Sequence, residues 1–206
     1  MPSGETTGPG WGPGRWPDEN ECLLLLKKAG CSEKVIEHVK TVERIAMAIS
    51  ERIIARFMQI PDARKTASFC NAPVDPGIVR AGALLHDIGR GRTHGIDHAV
   101  EGARIANELG LPEPLIRIIE RHIGAGIEAQ DAVKLGLPPR DYLPLTIEEK
   151  IVAHADNLAG KHGKLGLRDV IADLEKKGVP QIIPRMEALH RELSGLAGVD
   201  LDDIEA

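Results

Sequence analysis

Beyond residue 17 the apolar side chains recur every three to four positions, and the stretches are separated by glycine and proline rather than by alternating β-branched runs. A chain patterned this way has little material for a sheet and must bury one stripe of each helix against the others. The expected fold is all-α, a single helical domain over residues 18–206, because 206 residues suit one core better than two. The punctuation predicts a helix from about Asp18 to Ala29, stopped by Gly30. Ser32 then caps a long helix whose Val35, Val39, Val42, Ala46, Ile49 and Ile53 form one stripe. Residues 61–74 read as irregular, and Asp75-Pro76 opens an apolar helix that Ile78, Val79, Ala83, Leu84 and Leu85 carry to Gly89. A Gly/Arg loop, Gly89–Gly95, leads to a helix capped by Asp97 and ended by Gly110. Pro112 and Pro114 start another, with Leu115, Ile118, Ile119 and His122 on one side. From 128 to 144 no period is assignable, and Gly136–Tyr142, with Arg140, reads as a surface loop, with a lid or base-contacting wall as the alternative. Thr146 and Glu149 form a capping box ahead of a helix to Leu158, and two amphipathic helices near 168–177 and 181–194 complete the pattern.

Residues 1–17 hold Pro2, Pro9, Pro13 and Pro17 among glycines and are expected to form a flexible tail, although Trp11 and Trp16 would bury much apolar surface if they docked on the body or on a second subunit. The other aromatics are Phe57, Phe69 and Tyr142, so Leu, Ile, Val and Ala must fill the core, and no aromatic platform for single-stranded nucleic acid is expected. A formal charge of −5 adds no overall attraction for a polyanion, so there is no strong nucleic-acid signal. The longest apolar run, Leu23–Leu26, is far below the ~20 residues that span a bilayer, and no membrane association is expected. Pro and Gly stand where a signal peptide would be apolar, and Cys22, Cys31 and Cys70 make no Cys-x-x-Cys pair. A reduced, cytoplasmic setting is the expectation.

Several of the eight histidines lie inside apolar helical stretches, where a polar ring must find a partner. His38 projects on or beside the stripe of Val35 and Val42. Asp156, four residues after Val152, points near the inner face of its helix. Adjacent His86 and Asp87 close an apolar helix, which brings an imidazole nitrogen and a carboxylate oxygen within reach of one ion. A mixed nitrogen and oxygen set suits Mn, Fe, Co, Ni or Zn. His154 is two residues from Asp156, about 200° around a helix, and points elsewhere. His162 and His190 read as surface residues.

The order His38, His86-Asp87, Asp156, with Leu-Leu-His-Asp-Ile-Gly around the pair, resembles the HD-domain superfamily of metal-dependent phosphohydrolases, in its His-Asp-Ile-Gly form, over about residues 35–159. His98-Ala-Val-Glu-Gly102-Ala103 and Arg121-His122 are similar to segments of the two-metal branches. The resemblance implies one or two divalent transition metals, with Mg also allowed, in a site between core helices. His86, His98 and His122 would hold one ion, His38 and Asp156 the other, and Asp87 would bridge. It further implies hydrolysis of a phosphomonoester or phosphodiester bond in a nucleotide or related small metabolite, by attack of metal-bound hydroxide, with two ions ~3.5–4 Å apart clamping the reacting oxygens. Asp87 and Arg90 are the expected catalytic residues, and Arg90, Arg92, His94 and Lys161 the expected phosphate-facing ones. The same ligands would also serve a di-iron oxygenase or a non-catalytic, metal-stabilised interaction module, and a homo-oligomer is left open.

Overall fold

The computed structural model describes residue 11 and residues 14–59 and 73–206. The helical period is realised throughout. The elements are α1 (Glu19–Ala29), α2 (Glu33–Gln59), α3 (Pro76–Leu85), a 3-10 turn (Ile88–Gly91), α4 (His98–Glu108), α5 (Glu113–Arg121), α6 (Ala129–Lys134) and α7 (Ile147–Leu158). A two-residue antiparallel hairpin, β1 (Ala159–Gly160) and β2 (Gly163–Lys164), precedes α8 (Leu167–Lys176) and α9 (Ile183–Ala197), with short 3-10 turns at Pro180–Ile182 and Leu201–Asp203. The fold is all-α.

The ends of these helices follow from local chemistry. The Asp18 carboxylate accepts from Glu21 N while the Glu21 carboxylate accepts from Asp18 N, and Gly30 takes the left-handed conformation at φ 88°. The Asp75 carboxylate accepts from Gly77 N and Ile78 N, with Pro76 in the first turn. Helix α3 is almost wholly apolar, so it is the buried one, with α1, α2, α5 and α7 packed around it. Ile45 and Ile49 of α2, Leu84 and Leu85 of α3, Ile118 and Ile119 of α5 and Ile151 of α7 meet in one core.

Two glycine contacts set how closely the elements approach. A Cβ on Gly89 would lie 1.9 Å from the carbonyl oxygen of His98 and 2.7 Å from Gly102 N, so only a bare backbone lets the 3-10 turn touch the start of α4. A Cβ on Gly102 would in turn lie 2.9 Å from Ile119 Cγ2. These contacts bring the residue after α3 and the first residue of α4 together.

The structure changes several sequence expectations. Helix α3 ends at Leu85 rather than Gly89, because the turn must drop onto α4. Asp97 precedes α4 but makes no capping bond; its carboxylate accepts the Thr93 hydroxyl instead. Thr146 Oγ1 does accept from Glu149 N, whereas the Glu149 carboxylate takes Leu145 N and pairs with Arg121 at 2.9 Å, tying the end of α5 to α7. The 128–144 region holds α6 and an Ile127–Tyr142 bridge, and Tyr142 is buried with Ile127, Ala132 and Leu137 rather than lying on a surface loop. Trp16 donates its indole N–H to Asp75 at 2.7 Å, so the described end of the N-terminal segment rests on the start of α3. The tail expected at residues 1–10, 12 and 13, and the irregular stretch expected at 61–72, lie outside the described residues. No helix among those described is long and apolar enough to cross a membrane.

His190 is buried, not a surface residue, because it faces inward from α9. Its Nε2 donates to Asp200 at 2.9 Å, leaving Nδ1 to accept from His154 Nε2 at 3.0 Å. His154 Nδ1 then carries a lone pair and no proton, and it is a buried acceptor without a partner among the described residues. Burial, and then the nearby His190, push His154 down to about 3.

Two measurements check this packing. Gly89→Ala is expected to destabilise by at least the ~1–3 kcal/mol of overpacking, seen as a lower urea midpoint, since backbone rather than a movable side chain meets the new methyl. For His154 the folded pKa lies below the ordinary 6.5, so the unfolded chain binds more protons between about 6.5 and 3. Its contribution is present above that window and is lost as pH falls through it. Stability should therefore fall with acidity less steeply in His154→Leu than in the parent, by up to about 1.4 kcal/mol per pH unit.

Candidate metal centre

Six side chains from five places in the chain converge: His38 on α2, His86 and Asp87 just after α3, His98 opening α4, His122 just past α5, and Asp156 on α7. Asp87 sits in the middle. Its Oδ1 lies 3.1 Å from His98 Nε2 and 3.7 Å from His122 Nε2, while its Oδ2 lies 3.9 Å from both His38 Nε2 and His86 Nε2. Asp156 Oδ1 reaches His38 Nε2 at 2.9 Å and His86 Nε2 at 3.5 Å. His86 thus stands nearer the His38 and Asp156 side of Asp87 than the resemblance implies, though its imidazole also meets His122, with centroids 4.8 Å apart.

The donor set fits divalent ions. His86, His98 and His122 each direct Nδ1 at the carbonyl three residues earlier, of Ala83, Gly95 and Ile119, at 2.7–2.8 Å. A carbonyl can only accept, so Nδ1 carries the proton and Nε2 of the neutral ring is left as a lone pair. Those nitrogens face one another: His98 Nε2 and His122 Nε2 are 3.0 Å apart, and buried His86 Nε2 has no hydrogen-bond partner among the described residues. Lone pairs packed this way repel unless a cation or proton lies among them. Three overlapping triads can hold an ion: His38–His86–Asp87, His86–His122–Asp156 and Asp87–His98–His122.

The electrostatics agree. Burial would raise Asp87, yet the His86 charge and the close approach of His98 hold it well below the usual carboxylate range, and Asp156 is likewise held low against burial by His86 and His38. Burial would lower His86, but Asp87 and Asp156 bring it up to about 9, while burial and the His86 charge push His122 down to about 3. The two neighbouring rings move in opposite directions because two carboxylates draw one positive charge into the nest and repulsion excludes a second.

Arg90 stands against the centre, its Nε 3.0 Å from both Asp87 oxygens and its Nη1 donating to His94 O. Arg92 is directed elsewhere, pairing with Glu101 and Glu108 on the outer side of α4. His94 and Lys161 are exposed, the latter in the turn between β1 and β2. Asn157 is a residue that sequence reasoning missed. Its Nδ2 donates to Gly124 O at 2.8 Å and to Ala153 O, which fastens the segment after His122 to the residue next to Asp156. Its position beside Asp156 was the only available signal. Arg121–Glu149 performs the same kind of fastening one residue before His122.

The fold and the centre define an all-α protein with a buried histidine–aspartate site able to hold metal. The HD domain family profile matches residues 35–161, and the chain belongs to that family. It is 44% identical over 188 residues to a tRNA (cytidine(56)-2'-O)-methyltransferase of Picrophilus torridus, a match covering 91% of this chain and 50% of that protein. This chain therefore spans about half the length of that relative. An uncharacterized protein of Methanocaldococcus jannaschii is 46% identical over 181 residues, covering 86% of this chain and 98% of its own. Ribonuclease Y of Acidothermus cellulolyticus is 30% identical over 129 residues, 62% of this chain and 21% of that one.

The shared position of Asp87 predicts unequal effects of ligand removal. Asp87→Ala should weaken divalent-ion binding more than either His38→Ala or His98→Ala, and beyond the ~10–100-fold typical of outer positions. Competition with a chromogenic chelator measures this, with circular dichroism confirming helix content.

Proposed function

We propose that this chain is a metal-dependent phosphohydrolase that cleaves a phosphomonoester or phosphodiester bond in a nucleotide. The observation that carries the reading is Asp87, whose two oxygens face separate pairs of histidine nitrogens, an arrangement suited to sharing between two ions. His38, His86, Asp87, His98, His122 and Asp156 would hold one or two ions of the Mn, Fe, Co, Ni or Zn type. When bound, such ions polarise a phosphoryl oxygen and lower the pKa of water.

The chain's own residues supply the remainder. His38 is about one-third exposed while His86, His98 and His122 are buried, so solvent reaches the centre past His38. Arg90, about one-third exposed and anchored on Asp87 and His94 O, presents a guanidinium where negative charge on a phosphoryl group needs compensation. The carbonyl acceptors behind His86, His98 and His122 keep those rings from turning. The names of the Picrophilus and Acidothermus relatives both concern RNA, which supports a nucleotide over a sugar phosphate as the group recognised. Burial raises the thiols of Cys22 and Cys31 to about 12 and about 11, so they stay protonated; free thiols of this kind suit a cytoplasmic protein.

Hydrolysis of bis(p-nitrophenyl) phosphate and p-nitrophenyl phosphate, with Mn, Co, Ni, Fe, Zn or Mg added separately, tests the reading. Asp87→Ala should lower turnover ~100-fold or more while the helical circular dichroism persists, and a chelator should do the same reversibly. Unaltered hydrolysis by that variant would overturn the proposal.

A further inference from the structure

An apolar cavity of about 300 Å3, lined by none of the six candidate ligands, lies among segments that flank three of them. Ile96, Ile123, Ile127, Leu135 and Ile182 form its walls over a floor of Gly124, Ala125 and Gly126. Its place next to the ligands follows from three connections. Ile96 is two residues before His98, and Ile123 follows His122 directly, a Cα step of ~3.8 Å. Asn157, adjacent to Asp156, grips the floor through Gly124 O.

The floor is built to be flat and chemically quiet. Gly124 and Gly126 have φ of 59° and 92°, the left-handed region that side chains rarely adopt, and a Cβ at Gly126 would meet Leu143 and Pro144 at 2.8 Å. Two of the floor's three carbonyls are already engaged: Gly124 O by Asn157 and Gly126 O by Arg185 at 2.9 Å. Ile127 exchanges both backbone hydrogen bonds with Tyr142. Of the charged residues that also line it, Asp131 pairs with Lys134 and Arg185 with Glu128, so apart from Gln181 the slot offers mainly dispersion contact to a planar group. Its volume is at the small end of the ~300–1,000 Å3 of small-molecule sites, and a phosphate alone has no use for apolar walls.

We infer that this slot holds the heteroaromatic base of the nucleotide whose phosphate lies at the metal centre. The inference rests on the phosphoester reading for the position of the phosphate. It adds that the base is held by contact between isoleucine walls and a glycine–alanine floor, and that recognition is tolerant of base identity.

The test uses the full chain labelled at isoleucine δ1 methyls and titrated with adenosine or cytidine, neither of which carries phosphate. The methyls of Ile96, Ile123, Ile127 and Ile182 should shift by ring-current effects while those of the core residues Ile45 and Ile49 stay in place. Leu135→Gln combined with Ile182→Gln, at an exposed and a half-buried position, should weaken the titration ~10-fold or more. The inference is overturned if the four methyls do not respond, if base-free ribose 5-phosphate shifts them equally, if the double variant binds as the parent does, or if dilution of the chain alone moves them, as a second copy covering the slot would. Nucleoside shifts in a chain that hydrolyses no phosphoester would uphold the slot and remove only the phosphoester reading.

Discussion

The structure depends on a carboxylate that has no business being buried on its own. Asp87 is 4% exposed, and an ionised carboxylate in that position is sustained only by what surrounds it: Arg90 on one side and the Nε2 edges of four histidines on the others. Each histidine comes from a different part of the chain, so the helices cannot be rearranged without exposing or stranding that charge. The apolar core supplies the stability, while the nest selects which packing of the helices is compatible with it. A site of this kind must be assembled by backbone contacts closer than side chains allow, and this is why Gly89 and Gly102 face each other where α4 meets the turn after α3.

The centre was legible in the sequence to the extent that it is chemistry on a helical pattern. His86-Asp87 at the end of an apolar helix, and His38 and Asp156 near apolar stripes, could be picked out because a buried polar group in such a place needs a partner. The helical period, the helix starts at Asp18 and Asp75-Pro76 and the Thr146 cap were readable from local pattern. What was not readable depends on the other side of a contact. Tyr142 looked like a loop residue because its partners Ile127, Ala132 and Leu137 are scattered through a stretch without a period. His190 looked like a surface residue because its reason for burial, His154, lies 36 positions away on another helix. Asp97 has the composition of a cap, but the tertiary turn hands its carboxylate to Thr93.

The two histidine clusters show opposite solutions to one problem. In the metal centre, three buried rings spend their protonated nitrogen on a backbone carbonyl and aim the lone pair inward, so the cluster has an excess of acceptors that only a cation satisfies. In the His154–His190–Asp200 chain the acceptor excess is resolved by relay: Asp200 takes the proton of His190, and His190 takes that of His154. One lone pair remains, at the buried His154 Nδ1. Both clusters are anchored on α7, two residues apart on different sides of the helix, so Asp156 and His154 together hold its rotation about the axis.

That shared helix also explains why the slot and the centre form one unit. Asn157, on the turn that carries Asp156, reaches across to the Gly124 carbonyl, and Glu149, two turns earlier, holds Arg121. The segment bearing His122 is thus fastened to α7 on both sides of the ligand, by the Arg121–Glu149 ion pair before it and the Asn157 hydrogen bond after it. A displacement of α7 would move Asp156 and the floor of the slot together. On the proposed reading, the distance between a phosphate at the centre and the group it carries would be set by the backbone of 121–126 rather than by a flexible side chain.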